Sequence, residues 1–214
     1  MTLKQMLSVR VTTCTDLVML ESGECGAKAM IKARQRNFLQ QLMNRRSYKD
    51  SYLEWVIDLA MLSKSPAGVA LKELKESLSR DYAAESLAQW KQTVQSSDST
   101  RRSAYRNLNP TLSLHPAYFD SELMEHKRIA FTRMRLSSHD LFFEKGRWSR
   151  IPPEERMCPC GQVQTDIHVL LECNITQNIR QEENIMTNSI HEVFNMYSSK
   201  TLTNLCAKIL TAYA

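Results

Sequence analysis

Three cysteines and one histidine, Cys158, Cys160, His168 and Cys173, lie within sixteen residues in the run CPCGQVQTDIHVLLEC. No other feature constrains the folding of this chain as tightly. Thiolates and an imidazole are borderline-soft ligands of the kind zinc prefers, and three sulfurs with one nitrogen form a frequent structural set. If the four share an ion, residues 158–173 must close on themselves. Four protein ligands leave no open coordination position, so such a site holds a fold together and does no chemistry of its own.

The spacings set the geometric problem. A single residue separates Cys158 from Cys160, a tighter bite than the two to four residues usual between zinc cysteines. Pro159 and Gly161 suit a tight turn, because Pro fixes one backbone angle and Gly tolerates a left-handed one. Thr165 is a candidate cap for a helical start over residues 166–171. Cys173 lies five positions after His168, which puts the two on different faces of a regular α-helix. The helix must therefore end or loosen near Glu172. Asp166 and Glu172 are candidates for a carboxylate behind the histidine. Three readings stay open: a structural Zn2+ site, a degenerate site that has lost its metal, and packed free thiols beside a core histidine.

The rest of the chain reads as helical. Its 214 residues are 43% hydrophobic and 24% charged, a globular balance. Only five glycines are present, and alternating Val-rich runs are scarce. Helical spacing predicts a short turn over 16–21 and helices over 26–45, 51–62, 68–80, 84–94 and 121–136, with a helical tail over 191–197 and 202–213. Trp55 and Trp90 are the expected core anchors. In the 121–136 helix Leu123, Ala130 and Met134 face inward, joined by Ile129 and Phe131, while Lys127, Arg128, Arg133 and Arg135 point elsewhere. Residues 105–119, broken by Pro110 and Pro116, read as extended with short turns. Residues 141–150 read as a loop or short hairpin around Gly146. The fold class is mainly α, with a helical N-terminal subdomain over 1–95, a polar linker over 96–104, and a small C-terminal part over 105–214 that carries a short hairpin and the Cys/His knuckle.

Charge points to a class of partner. The formal charge is +5, and residues 25–49 hold seven Lys/Arg and no acid. Residues 126–156 hold eight Lys/Arg against four acids. Such blocks form either a phosphate-facing surface or the wet side of amphipathic helices. The first residues show no export signal, and no run of about 20 apolar residues is present. Cysteine usage fits a reducing compartment, nucleus or cytoplasm. No glycine-rich phosphate loop, HExxH or Gly-x-Ser-x-Gly is found, and Asp140 with Glu144 reads as a salt-bridged surface. Cys14, Cys25 and Cys206 read as small hydrophobes. His139 reads as a cap or a phosphate contact.

The segments YRNLNPTLSLHPAYF (105–119), RIAFTRMRLSSHDLFFEKGRWSRIPPEER (128–156) and the cysteine run, taken in that order, resemble the region that follows the polymerase domain in non-LTR (LINE-type) retrotransposon reverse transcriptases. The stretch LSVRVTTCTDLVMLESGECGAKAMIKARQRNFL is similar to the segment just after the polymerase. The resemblance implies a zinc-knuckle-like motif with Cys158, Cys160, His168 and Cys173 as ligands. It further implies an accessory region that touches the backbone of RNA or DNA through Arg128, Arg133, Arg135, Arg147 and Arg150. Trp148, Phe142 and Phe143 are candidates for stacking on bases. The polymerase carboxylates of that family have no counterpart here, so the chain is expected to be non-catalytic and to work beside the rest of a reverse transcriptase. The opposing expectation is a helical protein-interaction module, or a relic with a degenerate metal site.

Overall fold

The computed structural model describes residues 2–46, 51–76 and 80–214. Helix accounts for 66% of the chain and no strand forms among the described residues, so the expected mainly α fold class is what the chain adopts. In chain order the α-helices are α1 (Leu3–Met6), α2 (Thr15–Ser22), α3 (Ala27–Arg46), α4 (Ser51–Leu62), α5 (Pro66–Glu76), α6 (Tyr82–Gln95), α7 (Thr100–Leu108), α8 (Glu125–Arg135), α9 (Phe142–Trp148), α10 (Gln177–Glu182), α11 (Ile190–Met196) and α12 (Ser199–Ala212). They group into two compact units, one made of residues 1–23 and 90–214, the other of residues 24–89. None of the described helices is long and apolar enough to cross a membrane.

The expected division at residues 96–104 does not coincide with these units. From Thr100 the chain is helical, and α7 buries Tyr105 and Leu108. The polar residues before it serve as local acceptors. Arg106 donates to the carbonyls of Val94 and Ser97, and Arg102 donates to the Ser97 hydroxyl. A run of Ser, Asp and Thr can mark either a linker or a helix start, and here side chains from α7 decide for the latter.

The smaller unit is built from α3, α4, α5 and the first part of α6. Among the described residues, Leu39, Ile57 and Tyr82 are its buried apolar side chains, with Gly68 also buried. The Ser65 hydroxyl accepts from the Gly68 N–H, and α5 begins on Pro66, a residue suited to the first helical position. A Cβ on Gly68 would lie 2.2 Å from the Ala60 carbonyl oxygen, so only glycine lets α5 pack this closely on α4. Trp55, an expected core anchor, is instead 59% exposed. A unit of this size leaves too little interior to cover an indole on every side.

The larger unit has its core on α8 and α12. Phe131 and Met134 of α8 pack with Leu202, Leu205, Cys206 and Ile209 of α12, with Val193 and Phe194 of α11, and with Val169 and Leu170. Trp90, the second expected anchor, is half-buried. Leu123, Ala130, Phe131 and Met134 are buried as expected, and Ile129 is half-buried. Arg135, expected to point outward, is instead 1% exposed. Its Nε and Nη2 donate to both carboxylate oxygens of Glu21, at 2.5 and 3.0 Å. Tyr105 donates to Glu21 at 2.6 Å, and the Tyr118 hydroxyl also donates to it. The Arg135 guanidinium lies 5.3 Å from the Phe131 ring centroid. This network joins α2, α7, the turn Pro116–Tyr118 and α8.

Three further expectations are corrected. Residues 142–148 form α9 instead of a loop or hairpin, because Phe143, Glu144 and Gly146 bury one face of it. The short hairpin expected in the C-terminal part shrinks to one antiparallel bridge, Met157 with Val163. Likewise, residues 105–119 are extended only between the end of α7 and the Pro116–Tyr118 turn.

His139 is not a surface phosphate contact, since it is 2% exposed and meets the Phe143 ring edge-on at 4.9 Å. Burial, then the charges of Arg10 and Arg147, hold its pKa down to about 3. Unfolded it titrates near 6.5. Its contribution to stability is therefore present above pH 6.5 and lost as pH falls from there toward 3. We expect stability to fall by up to about 1.4 kcal/mol per pH unit through this group, with a shallower slope in His139→Asn, read from urea unfolding across pH.

Arg135→Met is expected to cost about 3–5 kcal/mol by leaving the Glu21 carboxylate buried without its cation, and Glu21→Leu/Arg135→Met to recover much of that loss. Urea denaturation of the single and double variants, followed by circular dichroism, checks this.

Candidate metal centre

The cysteine run folds as a tight turn followed by a helical turn of unusual pitch. Cys158 N–H donates to the Gln162 carbonyl at 2.7 Å, and Gly161 N–H to the Cys158 carbonyl at 2.9 Å. Gly161 sits at φ +90°, a conformation open to glycine, with nothing within 4 Å of where a Cβ would be. The one-residue bite is met by this reversal, which leaves the Cys158 and Cys160 sulfurs within 4.8 Å of each other.

The five-residue gap is met by a π-helical turn, His168–Glu172. Thr165 caps the helical start at Asp166, as expected, its hydroxyl accepting from the His168 N–H at 3.0 Å. Cys173 N–H then donates to the His168 carbonyl at 2.7 Å, five residues back. A π turn spaces its bonds by five, so His168 and Cys173 come onto one face where an α-helix would part them. Cys173 leaves the turn in an extended conformation, and Thr176 ties the exit back to the Val169 carbonyl at 2.8 Å.

The four ligand atoms all lie within 4.8 Å of one another. Cys158 Sγ is 3.6 Å from Cys173 Sγ, and Cys160 Sγ is 3.2 Å from His168 Nε2. Tetrahedral zinc with ordinary bond lengths would set these edges at about 3.8 Å for S···S and about 3.6 Å for S···N. The donor set and its spread are therefore compatible with metal coordination. His168 presents Nε2 to the sulfurs, and its Nδ1 faces the Glu172 carboxylate at 3.9 Å. That distance is an electrostatic contact and no hydrogen bond.

Electrostatics favour a cation here. Burial raises the Cys158 thiol, yet hydrogen bonds from the Cys160 N–H, the Tyr213 hydroxyl and the other ligand side chains hold it down to about 6. Cys160 accepts from the Gln162 N–H, which lowers it, but burial and the two neighbouring sulfurs prevail and raise it. Crowding three sulfurs together makes their joint ionisation costly without a positive charge between them. Cys206 differs, for burial pushes its thiol up to about 12 in the apolar core.

The basic and aromatic candidates separate into an outer and an inner set. Arg133 is exposed and donates to the Ser8 carbonyl at 2.8 Å. Arg150 is exposed, at φ +56°. Trp148 is 42% exposed, with the Arg10 guanidinium 3.6 Å from its ring centroid. Arg128 is half-buried and donates to the Leu123 carbonyl at 2.8 Å. Arg147 is half-buried, 2.9 Å from the fully buried Glu144. Arg135 lies inside the Glu21 network, which removes it from any surface.

Two residues of this region carry no local signal in the sequence. Arg10 donates to the Ser138 hydroxyl through its backbone and to the His139 carbonyl and Asp140 through its guanidinium. Tyr213 donates to Cys173 Sγ from 40 positions away.

We expect purified chain to carry one metal ion, lost in His168→Ala and in Cys173→Ala and kept in Cys14→Ala, as measured by plasma emission after gel filtration. Equal metal content in all four proteins would contradict this ligand set. No family model, no curated protein and no solved structure matches this chain.

Proposed function

We propose that this chain is a zinc-stabilised helical module that binds the backbone of RNA or DNA and performs no catalysis itself. The reading includes the resemblance to the post-polymerase region of non-LTR retrotransposon reverse transcriptases, with the chain acting beside such a polymerase in nucleus or cytoplasm. Three thiolates and one imidazole make Zn2+ the metal of choice. Its part is to fix residues 158–173, since no coordination position is left for substrate.

One observation carries the nucleic-acid reading. The segment Ser8–Arg10 gathers Arg133, Arg10 and Trp148 along one edge, through the Ser8 carbonyl and the Arg10 stack on the indole. Cations beside a half-exposed aromatic suit a phosphate backbone with a stacked base. A second reading, a protein-interaction module, is favoured by the exposed Ile31, Phe38, Leu59 and Leu62 of the smaller unit.

Binding of labelled single-stranded RNA, measured by filter retention across salt concentrations, decides between them. Arg133→Glu/Arg150→Glu is expected to weaken binding and to flatten the slope of log K against log salt by about 1.4, the value for two lost phosphate contacts. Retention equal to that of the unaltered chain at every salt concentration would favour the interaction module.

A further inference from the structure

We propose that Tyr213 is a positioning residue of the metal centre, its hydroxyl donating to the Cys173 sulfur so that helix α12 becomes part of the site. The inference rests on the metal reading above and goes beyond it, because it adds a donor that is no ligand and lies outside the cysteine run.

The charge of the centre supplies the reason. A divalent ion with three thiolates and a neutral imidazole carries one net negative charge. Cys158 and Cys173 are 3% and 0% exposed, so water cannot solvate that charge on their side. A buried anion is costly unless hydrogen bonds meet it. The two buried sulfurs share one donor, the Tyr213 hydroxyl, which comes from outside the cysteine run. Cys173 ends the π turn and leaves it extended, and its sulfur is served by the Tyr213 hydroxyl, at 2.9 Å. The same oxygen lies 3.4 Å from Cys158 Sγ, between the two buried sulfurs.

The position of that hydroxyl is fixed from elsewhere. Tyr213 is the residue that caps α12, and α12 is anchored by Leu202, Leu205, Cys206 and Ile209 in the core. Arg180 braces the other side of Cys173, donating to its carbonyl at 2.9 Å and to the Thr176 hydroxyl at 2.6 Å. The Cys173 sulfur is thus held between its own backbone and the end of a packed helix. Partners of this kind orient ligands and tune the metal they hold.

The probe is Co2+, titrated into reduced, metal-free full-length chain and into Tyr213→Phe. The variant keeps the ring and removes only the hydroxyl. We expect it to bind Co2+ about tenfold or more weakly in competition with a chelator, and its sulfur-to-cobalt charge-transfer band to shift, with band intensity still reporting three thiolates. Helix content by circular dichroism in the absence of metal should match that of the unaltered chain. Three results would overturn the proposal: equal affinity with an unshifted band, loss of helix in the metal-free variant, or recovery of the unaltered band and affinity at saturating cobalt. If the unaltered chain itself takes up no Co2+, the metal reading fails too, and that outcome differs from all three.

Discussion

The Arg135–Glu21 pair sets the arrangement on which the larger unit depends. Two charges this deeply buried each cost several kcal/mol to desolvate, and their attraction offsets that only with near-complete hydrogen bonding. Here it is nearly complete. Both Glu21 oxygens take a bond from the guanidinium, and Tyr105 and Tyr118 fill further acceptor sites. Asn109 then donates to the Tyr105 oxygen at 3.0 Å, which extends the network to the end of α7. Any slip of α8 by a turn would strand a carboxylate, a guanidinium and two phenols in an apolar interior. The network therefore selects one register of α8 against α2 and α7, and α12 packs on the α8 so fixed.

That register matters for the metal centre because α12 carries Tyr213 to it. The cysteine run closes itself only in part. Its turn and its π helix bring four ligand atoms together with local hydrogen bonds alone, but the outer side of Cys173 is met by a residue from the chain's last helix. Two closures therefore act in series. One is polar and long-range, deep under α8. The other is a local knot of sulfur and nitrogen, joined to the first through α12.

Sequence made the knot legible because its chemistry is compositional. Three cysteines and a histidine in sixteen residues announce themselves whatever the fold. The gap of five between His168 and Cys173 also held its own answer. It conflicts with an α-helix, and the π turn is the helical form whose bonds span five residues. Helices 51–62 and 121–136 were legible for the usual reason, apolar spacing near 3.6. Arg135 was not, because its partner lies 114 residues away and arginine on a helix beside Arg133 reads as solvated. The same holds for α9. Its fully buried Glu144 faces Arg101 of α7, distant in sequence, as well as its own helix neighbour Arg147, so a charged-looking stretch folds as an inward-facing helix. Long-range ion pairs turn polar residues into core, and no local pattern reports them.

The same lesson bears on how charge becomes surface. Eight Lys/Arg between residues 126 and 156 suggest a broad basic face. Arg135 is spent on Glu21, Arg147 on Glu144, and Arg156 on the carbonyls of Ile151 and Phe143. The outward remainder is narrower and is organised by Arg10, a residue outside the basic block. Because Ser8 and Arg10 bridge α8, the Ser138–Asp140 loop and Trp148, that edge exists only when the N-terminal segment is docked. Loosening the knot acts first on Tyr213, half-buried at the end of α12, while Leu202 and Leu205 remain sealed in the core. The basic edge is tied to the cysteine run by another route, for the Gln164 side chain accepts from the Phe143 N–H at 3.0 Å and α9 carries Trp148.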